Sequence, residues 1–576
     1  MFGAEEVDKH IKIAEKNRTK QIGFMLIFTS KSRGAQLCAF AVVAGLCQAW
    51  SMGLPFHLGA NGALQWAAML ILAWVTLRCR SSKENACVAF VFQSTALAVT
   101  FWWIFISLYV YGEMNGLLAA FAVVLLASAL AMYWVALSWA FFKLSWEAKD
   151  PSERRSSQGL EKCRVALLFG LTWLLSELCR GQWFTGFPWG ASGYAHNDTW
   201  MGLLAPWVGV YGIGALSAML AMWVAQRCVE QWPTKERLLL RGRDRQKWAV
   251  LIMPILMLLS LSTWPLFKAV DLATLGAPGS LAQEGDSKAL RVELLQGNVP
   301  QQTKFRNDRF SAAQWYYDQI VGSNAQLVVT PETAFAMTID ELPKAFNASI
   351  KHHLLAEQQA VLLGMPSKDD GQYANSAIGL VGERAQEYRY DKVHLVPFGE
   401  FIPPFFKWFT DQMQMPLGFF KRGEAAQGNL QFLSQKIAPN ICYEDLFGEE
   451  LAARFIKPDE SPSILVNMSN IAWFGDTVIL DQHLEISRMR TLELRRPMIR
   501  ATNSGVSAVI DHQGHVLVRA KAFTQEKVSA WVQGRFDAPT PYAWWASRWG
   551  LLPLWALGLG ALGWAWIQRA SRLKAG

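Results

Sequence analysis

The run LLAAFAVVLLASALAMYWVALSWAFF, Leu117–Phe142, holds no charged residue. It is long enough to cross the roughly 30 Å of a bilayer's hydrocarbon as a helix. Seven further apolar runs flank it, at about 35–51, 60–77, 87–110, 163–179, 200–226, 247–268 and 548–567. With 52% hydrophobic residues, 18% charged residues and 27 Trp, the chain reads as a polytopic α-helical membrane protein of about eight transmembrane helices. The short run Ile22–Phe28 is better placed at the interface. The polar, Lys-rich start and the distance to the first long apolar run, near Gln36, argue against a cleavable signal peptide.

A net charge of +9 raises the question of nucleic acid. The position of the charge answers it. Lys and Arg gather in alternate loops: Arg78 to Lys83, Lys143 to Lys162, and Arg227 to Lys247. The loops at 52–59, 111–116 and 181–199 hold no Lys or Arg. Under the positive-inside rule both termini are cytoplasmic, and the insert between the seventh and eighth helices lies on the other side, which in a two-membrane bacterium is the periplasm. No nucleic-acid partner is expected. The uncharged segment Gly186-Phe187-Pro188-Trp189-Gly190 through Tyr194 is either an interfacial aromatic belt or a lipid-facing floor beneath the outer domain. Ala556 and Gly560 fit close helix packing.

The divisions expected are a cytoplasmic extension at 1–34, a membrane domain at 35–268, a linker at 269–289, an extramembrane domain at 290–535, and a last helix with a short tail at 546–570. In the outer domain Val292–Leu295, Leu327–Val329, Val361–Leu363, Ile437–Ile441, Ile464–Val466 and Val506–Ile510 read as buried strands. Phe305–Val321, Leu342–Gln358 and Gln482–Arg500 read as helices between them. The alternation is that of an α/β layered fold.

Seven of the eight Cys lie in or beside membrane runs, and only Cys442 lies in the outer domain. It has no disulfide partner there. A buried core thiol is one reading. The other is a nucleophile, because the mostly apolar strand Ile437–Ile441 turns polar at Cys442-Tyr443-Glu444-Asp445, and a nucleophile at a strand end is rigid yet open to a cleft. A thiol needs a base or a cation to act. Glu332, in Thr330-Pro331-Glu332-Thr333, follows the strand Leu327–Val329. Lys392 opens Lys-Val-His-Leu-Val-Pro-Phe-Gly-Glu, which ends at Glu400.

These three motifs, in this order, resemble the Glu-Lys-Cys triad of the nitrilase superfamily, whose αββα sandwich is then the fold expected for the outer domain. The eight-helix frame, Gln296-Gly297-Asn298-Val299-Pro300-Gln301 and Asn470-Ile471-Ala472-Trp473-Phe474-Gly475 narrow the resemblance to the bacterial apolipoprotein N-acyltransferases, over nearly the whole chain after about residue 35. Three departures are visible. Ile471 stands where the family usually has Asp, Phe305 where it often has Trp, and the first 30 residues look like an extension.

The resemblance implies a ping-pong acyl transfer in the bacterial inner membrane, the last step of lipoprotein maturation. Glu332 takes the proton from Cys442, whose thiolate attacks a phospholipid ester. Lys392 stabilises the oxyanion with a backbone N–H near Tyr443. The acyl-thioester then passes its chain to the N-terminal amine of a diacylglyceryl-cysteine apolipoprotein, without ATP or another cofactor. Glu400 could orient Lys392 or fix the amine, Glu444 could support the oxyanion site, and each could instead be a structural ion pair. Tyr443 packs or positions Cys442. Phe305, Trp473 and Phe474 could line the acyl route or simply pack. Aromatic residues within Phe401–Phe409 and at Phe419–Phe420 could dip into the interface, or be ordinary buried loop residues.

The His residues form no zinc pattern, so no metal is expected, and no phosphate loop is present. The Arg-rich helix Arg488–Arg500 reads most simply as a solvated or ion-paired face; an anionic lipid-headgroup site is the alternative. Two competing functions remain open on the residues alone: a membrane-anchored nitrilase-type amidase, and a non-catalytic lipoprotein-binding module.

Overall fold

A computed structural model describes residues 33–53, 59–146, 159–230, 289–301, 309–382, 387–402, 420–425 and 427–575. The expected span 247–268, most of the extension and the linker, Phe305, and all of 403–419 lie outside the described residues.

The first half is helical: α1 (Arg33–Ser51), α2 (Gly62–Arg78), α3 (Ser82–Thr100), α4 (Gly116–Trp146), α5 (Gly159–Gln182) and α6 (Ala205–Glu230). Polar side chains start two of them. The Asn61 side chain accepts from the Ala63 and Leu64 amides at 3.0 and 3.2 Å, and Ser81 accepts from Glu84 N at 3.2 Å, satisfying donors that the helix itself cannot.

Among the described residues three helices are long and apolar enough to cross a membrane, at Arg33–Ser51, Gly116–Trp146 and Trp200–Val229. The count rises to five if two bent pairs each make one span. One pair is α3 with Ile104–Tyr111, bent by 58°, so the run expected at 87–110 is not one straight helix. The other is α10 (Pro541–Trp549) with α11 (Leu552–Ala575), where the Leu552–Ser571 stretch turns by 84° and the expected 548–567 span begins only after the turn. The helix α2 is shorter, and α5 carries Glu161, Lys162, Arg164, Glu177 and Arg180.

The second half holds two six-stranded sheets with strand orders β12-β1-β2-β3-β4-β5 and β11-β10-β9-β8-β7-β6. In the first, β1 (Ala289–Gln296), β2 (Leu327–Val329) and β3 (Ala360–Asp369) run parallel, and β4 (Gln372–Val381), β5 (Tyr388–Asp391) and β12 (Glu526–Gln533) extend them antiparallel. In the second, β7 (Gln435–Ile441), β8 (Ile464–Ser469) and β9 (Met498–Thr502) are parallel, with β6 (Leu430–Phe432), β10 (Ala508–Ile510) and β11 (Val516–Arg519) antiparallel outside them. Parallel strands buried on both faces need no alternation of polar and apolar residues, and the short runs LVV and ILV read that way.

Val292, Leu294, Val329 and Leu362 of one sheet pack against Ile437, Ile441, Val466 and Ile499 of the other. Helices α7 (Arg309–Val321) and α8 (Lys344–Ala356) cover the outer face of the first sheet. Helix α9 (Ile479–Leu494) covers the second, completing αββα layers.

The structure corrects two expectations here. The Arg-rich stretch 488–500 is not one helix: α9 ends at Leu494, Arg495 turns left-handed at φ 51°, and Met498–Thr502 is strand β9. Nor is it solvated, because all 16 residues of α9 are buried; of the two faces expected it is the ion-paired one, with Arg488 and Arg490 in salt bridges. The expected strand Val506–Ile510 starts later, at Ala508.

The burial of α9 has a cause. One side faces β8 and β9, and the other faces the membrane half. Asn197 donates to Glu485 at 2.7 Å, and Arg488 pairs with Glu485 at 2.9 Å and with Asp198 at 2.5 Å. The Trp103 and Trp189 indoles donate to Gln482 at 3.1 and 2.8 Å. Glu493 accepts from Val210 N at 2.7 Å and pairs with Arg490 at 3.1 Å. That acceptor lies where α6 breaks, at Gly209 (φ 65°, ψ −179°), a conformation open only to glycine. The segment 186–194 is likewise neither belt nor lipid-facing floor. Trp189 and Tyr194 are buried, and Phe187 packs on Tyr443.

Candidate active site

Three strand ends deliver the polar residues. Strand β2 leads into Pro331-Glu332, β5 runs into Lys392, and β7 ends at Cys442. The Glu332 turn sits against β3 because residue 364 is glycine, where a Cβ would meet the Pro331 carbonyl oxygen at 2.0 Å.

Lys392 is almost fully buried, and its Nζ lies 3.2 Å from Glu332 Oε1 and 3.0 Å from Glu400 Oε2. Asn375, on β4, donates through Nδ2 to Glu332 Oε1 at 2.8 Å and to Glu400 Oε1 at 2.7 Å. Glu332 Oε2 accepts the Asn470 amide at 2.9 Å, and Glu400 Oε2 accepts Val396 N at 2.8 Å. Burial opposes the ammonium charge, but the two carboxylates outweigh it and hold the Lys392 pKa above its usual value. The cation is therefore fixed in place and remains charged at any ordinary pH.

Cys442 opens a 3-10 turn, Cys442–Leu446, with its own backbone left-handed at φ 53°. A non-glycine residue held there is strained and must be braced by its surroundings. Its thiol is pushed up to about 12: burial acts first and the Glu332 charge second, while Lys392, the Ser469 hydroxyl and the Asn470 amide pull the other way. At rest the sulfur is a thiol with a carboxylate beside it.

Glu444 faces away from that chemistry. Its carboxylate accepts from Val393 N at 2.6 Å, His394 N at 3.1 Å, Ile441 N at 2.6 Å and the Tyr390 hydroxyl at 2.9 Å. It therefore ties the loop after Lys392 to the end of β7. Tyr443 turns toward the membrane half, where its hydroxyl donates to the Gly186 carbonyl at 2.9 Å. His394, two residues on from Lys392, lies 2.9 Å from both Glu450 Oε1 and the Thr185 carbonyl and stacks on Phe447. Trp473 and Phe474 pack edge-on against Tyr111 and Trp103 of the bent helix pair, at ring centroid distances of 5.2 and 4.7 Å. Ile471 is buried, beside Gly505.

Glu332, Lys392, Glu400 and the start of the Cys442 turn thus meet in one cluster. Trp473 and Phe474 lie instead at the junction with the membrane helices. Asn375, which bridges the two carboxylates, escaped sequence reasoning because β4 (QYANSAIGLV) has little alternation and nothing marks its Asn. Among the described residues no group of three or more His, Cys, Asp or Glu could hold a metal ion.

Comparison with known proteins bears on both halves. Residues 44–223 match the model of the apolipoprotein N-acyltransferase N-terminal domain, and residues 294–535 match that of carbon-nitrogen hydrolases. The apolipoprotein N-acyltransferase of Verminephrobacter eiseniae is 45% identical over 551 residues, which is 93% of this chain and 97% of its own. That of Ralstonia nicotianae is 39% identical over 86% of this chain and 88% of its own, and that of Nitrosomonas europaea 35% identical over 82% and 87%. The chain belongs to the apolipoprotein N-acyltransferase family, and it is a membrane acyltransferase with a carbon-nitrogen hydrolase fold in its second half.

Proposed function

We propose that this family member takes an acyl chain from a membrane phospholipid onto Cys442 and passes it to the N-terminal amine of a diacylglyceryl-cysteine apolipoprotein. The observation that carries the reading is the buried Glu332–Lys392–Glu400 cluster acting on the Cys442 thiol.

The thiol titrates far above neutrality, so the sulfur is not a preformed thiolate. Its proton leaves to Glu332 as the ester carbonyl arrives, which makes Glu332 a general base rather than a counter-ion. The new C–S bond puts negative charge on the carbonyl oxygen, and the Lys392 ammonium, already held by two carboxylates, is positioned to meet it. Collapse returns the proton to the leaving lysophospholipid oxygen and leaves an acyl-thioester. The acceptor amine then gives a proton to Glu332, attacks the thioester carbonyl, and expels the Cys442 sulfur, which takes the proton back. An ester and an amine become an alcohol and an amide, with no other co-reactant.

Both substrates are lipids of the bilayer, which accounts for a catalytic domain fused to membrane helices. In the topology we propose, both termini are cytoplasmic, about eight helices cross the bacterial inner membrane, and the domain lies on its periplasmic side. Glu400 acts as the second anchor of Lys392, and Trp473 and Phe474 bound the lipid side of the cleft.

The test is mass spectrometry of the purified protein incubated with phospholipid and no acceptor. A fatty-acyl adduct on Cys442, discharged by an added diacylglyceryl lipopeptide, is expected. Cys442→Ser retaining full transfer overturns the mechanism, and release of ammonia from small amides without acyl transfer identifies an amidase instead.

A further inference from the structure

Against the backbone carbonyl of Cys442 lies a second polar group that the mechanism above does not use. Arg500, on β9, is fully buried. Its Nη2 lies 2.8 Å from His483 Nδ1, and its Nη1 donates to Ser487 Oγ at 2.7 Å and faces Asp445 Oδ2 at 3.7 Å. On the far side of the ring, His483 Nε2 lies 3.3 Å from the Cys442 carbonyl oxygen. Asn467 Nδ2 reaches the same oxygen at 3.3 Å, and its own Oδ1 accepts from Arg500 at 3.3 Å.

A guanidinium can only donate. His483 Nδ1 must therefore be the acceptor, the ring must be neutral, and its single proton must sit on Nε2, where it donates to the Cys442 carbonyl. Burial and the Arg500 charge also hold the His483 pKa well below its usual value, in agreement with that tautomer. Two donors thus grip one carbonyl oxygen. The Cys442–Tyr443 peptide is planar and trans, so its N–H points opposite to its C=O. A carbonyl drawn toward His483 and Asn467 aims the Tyr443 N–H the other way, away from α9. That amide is among the first of the 3-10 turn and has no acceptor within it.

We infer that Arg500 and His483, with Asn467, form a clamp that fixes the Cys442–Tyr443 peptide so that the Tyr443 N–H is presented to the oxyanion. These are positioning residues: none touches the reacting atoms, and they act through the backbone at φ 53°. The inference deepens the thioester reading and rests on it.

The test separates the clamp from the fold. His483→Asn keeps an oxygen near the Nδ1 position to accept from Arg500 and loses the Nε2 donor. His483→Gln carries an amide donor close to the Nε2 position. Full-length protein in detergent is given phospholipid, and acylation of Cys442 is timed by mass spectrometry. In parallel, iodoacetamide alkylation of the same Cys442 is timed. Alkylation is a displacement at carbon and develops no oxyanion, so it reads the thiol and its access but not the peptide's orientation.

H483N is expected to slow acylation on the order of 10- to 100-fold, by comparison with loss of one oxyanion donor, while alkylation stays within about threefold of the wild type. H483Q is expected to recover at least about threefold of that loss. Acylation by H483N at the wild-type rate, or a fall of acylation and alkylation by the same factor, overturns the clamp. The wild type serves as the control for the premise. If it forms no adduct on Cys442, the thioester reading fails and takes this inference with it. If it forms one and H483N forms it equally fast, the clamp alone fails.

Discussion

Replacing Glu332 by Gln sets the charge around Cys442 against the chemistry it serves. The Glu332 carboxylate is one of the two main causes that push the Cys442 thiol up to about 12, and Lys392 pulls against it. With the carboxylate gone, Lys392 remains, still neutralised in part by Glu400 at 3.0 Å. A single neighbouring charge inside a protein moves a pKa by roughly 1 to 3, so the E332Q thiol should titrate lower by about that much. At pH 8 a thiol titrating near 12 is only about one part in ten thousand thiolate, and the change raises that fraction roughly 10- to 1,000-fold. Thiolate nucleophilicity falls by about half of the gain on a logarithmic scale. Iodoacetamide alkylation of Cys442 should therefore quicken by roughly 3- to 30-fold. Acyl transfer should move the other way, down by about 10²- to 10⁴-fold, because nothing remains to take the proton as the ester is attacked. Both rates are read on the same peptide by mass spectrometry. An E332Q protein whose thiol alkylates more slowly than the wild type's, or which transfers acyl chains at the wild-type rate, refutes the assignment of Glu332 as base.

Other perturbations follow from the same contacts. Lys392→Met leaves Glu332 and Glu400 buried without their cation, and should cost about 3–5 kcal/mol; the loss should show as a lowered detergent melting temperature alongside lost transfer. Asn375→Ala removes the bridge between the two carboxylates at 2.8 and 2.7 Å, and should lower transfer about tenfold while leaving the phospholipid concentration dependence unchanged in steady-state kinetics. Gly209→Ala puts a Cβ 2.4 Å from the Tyr542 ring at a backbone angle of φ 65°, and should destabilise the protein by about 1–3 kcal/mol in a thermal melt. Glu493 is raised to about 7 by burial, against the pull of Arg490 and the Val210 amide. A carboxyl whose folded pKa lies above its unfolded one adds stability below the unfolded value and loses it as pH rises through the folded one. The wild-type melting temperature should therefore fall between about pH 4.5 and 7, and Glu493→Gln should flatten that slope.

What was legible in the sequence, and what was not, divides by physical cause. Strand interiors such as Leu327–Val329 and Ile464–Val466 are read directly because parallel strands covered on both faces must be continuously apolar. Strand β4 escapes because QYANSAIGLV mixes small and polar residues, and β12 because EKVSAWVQ carries the weak alternation of an edge strand. The Arg-rich stretch is ion-paired, as its residues suggest, but its burial has a different cause. A helix with the sequence ILDQHLEISRMRTLEL satisfies every local criterion for a solvated face. Its side away from β8 and β9 is buried because partners more than 200 residues away, Asp198 and Asn197 among them, complete its hydrogen bonds. The clustering of Glu332, Lys392 and Cys442 could be anticipated at the level of strand ends. Asn375 and the His483–Arg500 pair could not, because each is an ordinary polar residue until the sheets bring it to a carbonyl or a carboxylate.

The same helix explains why the two halves of the chain need each other. Taken alone, the αββα layers would expose on α9 the Glu485, Arg488, Arg490 and Glu493 side chains, which a solvated helix tolerates well. Docked on the membrane half, those charges lose water and must recover their interactions from Asp198, Asn197, Val210 and Tyr194. A buried pair with good partners is near neutral for stability, but one with a missing partner costs several kcal/mol. The interface is therefore selective rather than strong: it accepts one register of α9 against α6 and the 192–199 turns. That register fixes the proposed nucleophile as well. His483, whose ring holds the Cys442 carbonyl, lies next to Gln482, which the Trp103 and Trp189 indoles hold from the membrane side. A shift of α9 by one residue would turn His483 away from Cys442 and bring Gln482 or Leu484 in its place. Geometry at the thiol is thus set by contacts to the membrane helices, which is what an enzyme must arrange if it is to meet lipid substrates at the bilayer surface with its nucleophile already in position.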